Sequence, residues 1–353
     1  MKYLICQQWD NLRGNHAGFP HICHLLEQKY PDQYVVIEKS TPTRRRTRKN
    51  KFSRLLFKYI DNRDLIKRNY EEYILLCSNM FQTLREGDEV FLLEYNLPIV
   101  SQYELAKYIR NNFKGVRLYA LSHLTPSYFE KDHVREKIVK WDSCIDKQLT
   151  LGSSLSQYLK GIGIKPQKIS TGFHAVDLNY YSSSNENIEI KKERLTIISI
   201  GALQRNYNLL SKIVNRCDDV NWIICAGRKH VTGLFPKQDN VKILGYLEES
   251  ELRYQMSQAD LALNVMEDTV GSNVITTSMA MGLGIIVSDV GSIHDYCNDR
   301  NALFCDNDVE SFVSAINFVV LNHSMVMNMK RESLNIIRNF SIENTHKWFC
   351  SLK

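Results

Sequence analysis

Short apolar runs rich in β-branched residues recur along both halves of the chain, each followed by a longer segment whose apolar residues fall three and four apart. A strand buried on both faces reads as such a run, and the helical pattern after it supplies the cover. In the first half the runs are Tyr3 to Cys6, Tyr34 to Ile37, Glu89 to Leu93, Val116 to Leu121 and Ser143 to Ile145, with helical stretches notably at 62 to 84 and 102 to 113. In the second half they are Leu195 to Ile200, Trp222 to Ala226, Val241 to Leu244, Leu261 to Val265 and Ile285 to Ser288. The alternation predicts parallel sheets flanked by helices, and therefore two doubly wound α/β domains. Ligands of such sheets sit outside the carboxyl ends of the strands, so two facing domains imply a cleft site.

Length agrees with two domains, because 353 residues exceed what one hydrophobic core usually organises. The polar stretch from Tyr180 to Asn187 is turn-forming and reads as the linker. Net charge is +6, a mild preference for anionic partners that does not by itself choose among nucleotide, lipid surface and nucleic acid. The nine cysteines form no CxxC pair and often lie in apolar runs, as Cys225 does after Trp222-Ile223-Ile224, so reduced core thiols of a cytosolic protein are expected. The start, Met1 to Cys6, turns polar at Gln7, too soon for the apolar core of a signal peptide. No segment reaches the roughly 20 apolar residues of a membrane-spanning helix.

One segment stands apart. Thr41 to Asn50 is almost wholly basic and polar, and beyond it Phe52, Leu55, Leu56, Tyr59 and Ile60 share one helical face. From 44 to 60 this is a basic amphipathic element, suited either to an anionic membrane surface or acceptor or to a solvated loop leading into an ordinary helix. No helix-turn-helix, zinc finger or aromatic RNA-binding signature accompanies it, so a nucleic-acid partner is not expected.

Three loops of the second half share the chemistry of an anion site. Ile198-Ser199-Ile200 runs into Gly201 and then into a helical segment past Arg205; Gly227-Arg228-Lys229 follows a second strand; Val270 to Gly291 is a small-residue loop, a short helix, a turn and a buried strand. Gly271 lets backbone approach a ligand, and Ser272 or Asn273 can cap a helix whose free N–H groups and dipole face an anion. Together they predict a nucleotide diphosphate site.

The order of these segments resembles the retaining glycosyltransferases of family four and the GT-B fold, the glycosyl transferases group 1. Gly201-Ala202-Leu203 with Tyr207-Asn208 is similar to the family's Gly-Arg-Leu followed by Lys-Asn; Val241 to Gly245 resembles its V-x-F-x-G strand; Ala259-Asp260 matches its A-D; Ser278 to Gly282 resembles A-M-A-x-G; Ser288 to Gly291 resembles T-D-V-G; Phe340 to Glu343 resembles F-S-W-E. In the first half, Gly14-Asn15-His16-Ala17-Gly18 occupies the place of the glycine-rich first loop, Leu121 to Pro126 resembles the strand ending in H-D-x-x-P, and Thr171 to Asp177 resembles P-N-G-V-D.

The resemblance implies an α/β GT-B chain of two Rossmann-like, doubly wound domains facing a central cleft. An acceptor-side domain spans 1–178, a linker 179–193 and a nucleotide-sugar domain 194–340, with a last helix at 341–353 that packs back on the first domain. It implies sugar transfer from a nucleotide-diphosphate donor to a glycan or lipid-linked acceptor, with retention and without a metal or other cofactor, in bacterial surface polysaccharide synthesis. The setting is the cytoplasm, including the inner membrane face. His123 would approach the donor sugar, and Asn15, His16, Ala17 and Gly18 would line the first-domain loop. Gly201, Arg205, Arg228, Lys229, Gly271, Ser272, Asn273, Val274 and Thr277 are the donor-phosphate candidates.

The departures bear on the donor. The family's two glutamates, eight positions apart, fall on Thr269 and Thr277, and its phosphate-binding arginine and lysine fall on Ala202 and Tyr207. Arg205, Arg228 or Lys229 could restore the cation, and Glu267 and Asp268, just before Thr269, could reach sugar hydroxyls. A threonine offers one hydroxyl where a carboxylate holds two partners. The competing reading is a GT-B domain that has lost catalysis and binds a glycan or a partner enzyme. A dehydrogenase is disfavoured because no GxGxxG follows any strand.

Overall fold

The structure, a computed structural model, describes residues 1–9, 14–40, 58–131, 135–182 and 193–352. Arg44, Arg45, Arg46 and Arg48 of the basic segment lie outside the described residues, as do Phe52, Leu55 and Leu56 and residues 183–192 of the expected linker. Tyr59 and Ile60, which are described, are both exposed. Contacts divide the chain into two units: 1–151 with 155–172 and Leu352, and 173–351 with 152–154.

The first unit runs β1 (Lys2–Gln7), α1 (Phe19–Lys29), β2 (Tyr34–Lys39), α2 (Lys58–Leu76), α3 (Ser78–Thr83), β3 (Glu89–Leu92), α4 (Gln102–Asn112), β4 (Arg117–Ser122), α5 (Pro126–Lys131), α6 (Arg135–Asp142), β5 (Lys147–Thr150), α7 (Ser153–Gly161) and β6 (Ile169–Thr171). Its strands are parallel in the order β2-β1-β3-β4-β5-β6. Every residue of β3 is buried, which is why that strand reads as an unbroken run. Strand order reverses between β1 and β3, so the loops leaving those strands part at the carboxyl edge.

The second unit runs β7 (Thr196–Ile200), α8 (Tyr207–Val214), β8 (Asn221–Cys225), β9 (Val241–Leu244), α9 (Glu249–Ser257), β10 (Leu261–Asn264), α10 (Asn273–Ala280), β11 (Gly284–Ser288), β12 (Ala302–Cys305), α11 (Val309–Leu321), α12 (His323–Ile336) and α13 (Ile342–Cys350). The sheet is again parallel, ordered β12-β11-β10-β7-β8-β9, and reverses between β7 and β10. Helix α8 buries Tyr207, Leu210, Ile213 and Val214 at helical spacing, and Asn206 caps it by accepting from the Leu209 N–H at 2.9 Å. Trp222, Ile224 and Phe312 fill the core beneath, where the Trp222 indole donates to the Cys217 carbonyl at 3.0 Å.

Several boundaries differ from those the apolar pattern predicts. Ser143 to Ile145 is a turn, closed by Cys144 N–H on the Trp141 carbonyl, and the strand begins at Lys147, where Gln148, Leu149 and Thr150 are buried. The helical stretch at 62 to 84 is two helices, divided at Cys77. Strands β6 and β12, which the apolar pattern does not mark, lie at sheet edges; β6 is only Ile169-Ser170-Thr171, and β12, though apolar throughout, is four residues long and buried only at its ends. All nine cysteines are free thiols; Cys144 and Cys350 are only half-buried, and the other seven lie in the core. Among the described residues no single helix is long and apolar enough to cross a membrane.

Candidate functional site

The site candidates of the second unit gather where its strand order reverses. Strand β7, fully buried, ends at Ile200, and Gly201 follows at φ +103°, a backbone region closed to L-residues. A β-carbon there would stand 3.4 Å from the Arg205 guanidinium, which folds back over the glycine. Arg205 Nε donates to the Ile200 carbonyl at 3.2 Å and Nη1 to the Leu203 carbonyl at 3.0 Å, leaving Nη2 without a hydrogen-bond partner among the described residues. Burial lowers the guanidinium to about 10, against the opposing pull of Tyr207, so the side chain stays cationic at neutral pH. The loop is tied to the one leaving β10: Asn206 N–H donates to the Val265 carbonyl and Glu267 N–H to the Gln204 carbonyl, both at 3.1 Å, and Arg205 bridges Met266.

After β8, Gly227 adopts φ +61° and exposes Arg228 and Lys229. The Arg228 guanidinium lies 5.2 Å from the Tyr246 ring centre, and Lys229 Nζ lies 5.3 Å from that of Tyr207. The Tyr207 hydroxyl donates to the Gly201 carbonyl, and burial pushes its phenol up to about 12. Tyr207 is therefore a neutral plate between the two cationic loops, and Lys229 brings an ammonium from the next strand over the position where a lysine is absent.

The third loop leads into α10. Gly271 has φ +136°, and of the two capping candidates, Ser272 and Asn273, it is Ser272 that stands at the N-cap, its hydroxyl making no capping bond. The N–H groups of Ile275 and Thr276 return to the Ser272 carbonyl at 3.0 and 3.1 Å. Those of Asn273 and Val274 have no acceptor among the described residues, so the helix presents open donors and the positive end of its dipole. An anion at this terminus satisfies both.

Beneath this loop the packing is tight. Gly291, at φ +58°, faces Thr269 so closely that a β-carbon would fall 2.1 Å from the Thr269 carbonyl oxygen. Ser288 accepts from Met266 N–H at 2.8 Å and donates to Asn307 Oδ1 at 2.6 Å, while Asn307 Nδ2 donates to the Met266 carbonyl at 2.9 Å. Asn264, the last residue of β10, is fully buried with both amide atoms unpartnered among the described residues.

In the first unit, Asn15 Oδ1 accepts the Ala17 N–H at 2.7 Å, and Gly18 caps α1 through its backbone. The His16 ring packs against His21 with centroids 4.3 Å apart. His123 lies just past β4; its Nε2–H donates to the Leu93 carbonyl at 2.7 Å, which makes Nδ1 the acceptor nitrogen. Burial lowers this imidazole to about 4, so it is neutral.

Residues 194–322 match the family described as glycosyl transferases group 1. The match lies within the second unit, from just before β7 to the end of α11. The whole chain is similar in fold to GT-B glycosyltransferases. Anabaena HepE in complex with UDP-glucose shares 15% identity over 100% of this chain and 99% of its own, with a TM-score of 0.71. A glycosyltransferase of Rickettsia africae ESF-5 shares 15% over 100% and 99%, at 0.66. Sucrose-phosphate synthase of Thermosynechococcus elongatus shares 10% over 100% and 99%, at 0.75. No curated protein sequence matches the chain.

Within the matched stretch, Thr269 and Thr277, the two threonines expected at the acidic positions, are buried and already engaged. Thr269 Oγ1 accepts the Gly271 N–H at 3.3 Å, and the Thr277 hydroxyl donates to the Val274 carbonyl at 3.2 Å. The Thr277 proton is thereby committed to its own helix. Asp268 Oδ1 accepts the Thr269 N–H at 2.8 Å, a link internal to the loop, whereas Glu267 is exposed beside the Arg205 loop. Sequence reasoning reached Arg205 and Lys229 but not Tyr207 as the plate between them. A tyrosine opening a helix ordinarily reads as core, and only the pairing of β7 with β8 shows which cation lies over it.

Proposed function

We propose that the chain binds a nucleotide-diphosphate sugar where the second sheet reverses its strand order and transfers the sugar to a glycan or lipid-linked acceptor with retention. The observation that carries this is the convergence of the Gly201 loop under the Arg205 guanidinium, Lys229 over Tyr207, and the open Asn273 and Val274 amides of α10. Leaving-group charge develops on the departing diphosphate, and fixed cations and helix N–H donors stabilise it more in the transition state than in the ground state. No protein carboxylate is needed for that step. Glu267 and Asp268 would contact the donor sugar, and His123, as a neutral acceptor, a sugar hydroxyl.

The UDP-glucose held by HepE supports a nucleotide-sugar donor. A role in bacterial surface polysaccharide or glycoconjugate synthesis, at the inner face of the membrane through residues 44 to 60, is part of the proposal and rests on the sequence pattern. The buried threonines at 269 and 277 favour one second reading, a GT-B protein that binds a glycan or a partner enzyme without turning over. Incubation with a panel of nucleotide sugars separates the two. Release of nucleoside diphosphate, with a product whose anomeric NMR coupling matches the donor, supports transfer with retention. Binding without release under every acceptor tried supports the second reading, and an inverted anomer removes retention.

A further inference from the structure

Two connections of the second unit enclose a cavity of about 560 Å³ that the donor loops do not line. One wall is the segment after β11, a helical turn at Ile293–Asp295 running on through Tyr296 to Arg300. The other is the end of α12 with the turn Ile337–Phe340. The stretch from Phe173 to Val176 ties them together: His174 N–H donates to the Tyr296 hydroxyl at 2.9 Å, and Val176 N–H to the Phe340 carbonyl at 3.0 Å. Asn298 and Arg300 precede β12, so they lie at the amino edge of the sheet, opposite the edge that carries the Gly201, Lys229 and Asn273 loops. The volume falls within the roughly 300–1,000 Å³ of small-molecule sites.

The lining sets aromatic surface beside polar groups with bonds to give. Tyr296 and Phe340 stack with ring centres 5.1 Å apart and planes at 12°, and Phe173 stands edge-on to them at 5.6 and 5.7 Å. Those two rings are buried, whereas 40% of Phe173 is exposed, which leaves an apolar face for a ligand. The Arg300 guanidinium covers Glu332 Oε1 at 2.9 Å and leaves Oε2 as an open acceptor. The side chains of Asn335, Arg338 and Asn339 are exposed and make no hydrogen bond or ion pair among the described residues. Charge cancels along the lining. Arg300 and Arg338 balance the carboxylates of Glu332 and Asp295, Asp295 accepts the Ser153 N–H, and His294 is drawn to Asp289 at 2.7 Å. Such a surface selects neither anions nor cations. Amides and a carboxylate that accept, amides and a guanidinium that donate, and a ring beside them suit the hydroxyls and C–H face of a sugar.

We propose that this cavity is a saccharide site separate from the site of transfer, in which a neutral glycan unit packs on Phe173 and its hydroxyls bond Asn335, Arg338, Asn339 and Glu332 Oε2. That the glycan is a remote part of the acceptor rests on the glycosyl-transfer reading; its recognition does not. The test takes the full chain, Phe173→Ala, an Asn335→Ala/Asn339→Ala double variant and Arg205→Ala. Each is titrated with neutral saccharides, with acidic glycans and, separately, with UDP, GDP and ADP. Hydrogen exchange with and without saccharide reads where protection falls.

Neutral saccharides are expected to bind without nucleotide and to protect 293–300 and 335–340. Phe173→Ala should weaken that binding about tenfold, through the lost stacking contact, and the double variant by about the same, at roughly threefold for each hydrogen bond. Nucleotide affinity should be unchanged in both, and Arg205→Ala should bind saccharide as the parent does. If Phe173→Ala melts early, the double variant decides, since its two side chains hold nothing in the fold. The proposal is overturned if no neutral saccharide binds at millimolar concentration, if acidic glycans alone bind, if protection falls elsewhere, or if the double variant binds like the parent. Saccharide binding that persists when no nucleotide binds counts against the donor reading and still supports the cavity.

Discussion

Gly291→Ala probes whether the loop bearing Thr269 is held by close backbone packing. The added β-carbon would lie 2.1 Å from the Thr269 carbonyl oxygen, and 2.8 Å from both the Thr269 nitrogen and Asp268 Oδ1. Two of these three atoms are backbone, so no rotamer change relieves the overlap and the loop itself must move. An L-residue at φ +58° costs about 1 kcal/mol relative to glycine, and forced overpacking adds about 1–3 kcal/mol. At roughly 2–4 °C per kcal/mol for a unit of this size, the midpoint should fall by about 5–15 °C. Fluorescence of Trp222, buried in the same unit, follows the melt. Gly233→Ala is the control, since no heavy atom lies within 4 Å of the β-carbon it adds, and it should stay within about 2 °C of the parent. The reasoning fails if Gly291→Ala melts with that control and binds nucleotide as the parent does.

Arg205→Ala should weaken nucleoside diphosphate binding by about 1.5–3 kcal/mol, the range for a charged hydrogen bond, while the exposed Lys229→Ala should cost only about 0.5–1 kcal/mol. Calorimetry reads both, and an unchanged Arg205→Ala would move the cation role to Arg228 or Lys229. His123→Ala should lower turnover while the chain still melts cooperatively, and full activity would remove His123 from the site. Stability should fall as pH rises from about 6.5 to 8. Glu94 is neutral in the fold up to about 8 but ionises near 4.5 once unfolded, so the unfolded chain binds fewer protons across that window. His123, lowered to about 4, acts the other way but only below about 6.5, where the unfolded imidazole takes up its proton. Glu94→Gln should flatten the decline above 6.5; denaturant melts at stepped pH measure it, and a slope that survives the substitution assigns it elsewhere.

The apolar runs coincide with nine of the twelve described strands, because strands covered on both faces leave an uninterrupted signature, as β3 and β7 do; the run at Ser143 to Ile145 falls on the turn before β5. Edge strands β6 and β12 escaped because they are short: β6 is three residues with one apolar side chain, and β12 is four residues. In the site, Gly201, Gly271 and Gly291 were legible since glycine marks backbone that other residues do not adopt. The idle hydroxyl of Ser272 was not, because a capping residue type does not reveal whether its oxygen turns to the amides. Tyr207 under Lys229 depends on strand order, which places residues far apart in the chain side by side. The two threonines were visible as departures, but their burial and internal hydrogen bonds needed the fold.

The central claim is that cations and backbone at the reversal point of the second sheet hold a diphosphate without the acidic pair. Calorimetric titration of the parent chain and Arg205→Ala with UDP, GDP, ADP and their sugar conjugates tests it most directly. The account predicts saturable binding of at least one nucleoside diphosphate, weakened in Arg205→Ala. Absence of binding by every nucleotide and nucleotide sugar at millimolar concentration would contradict it.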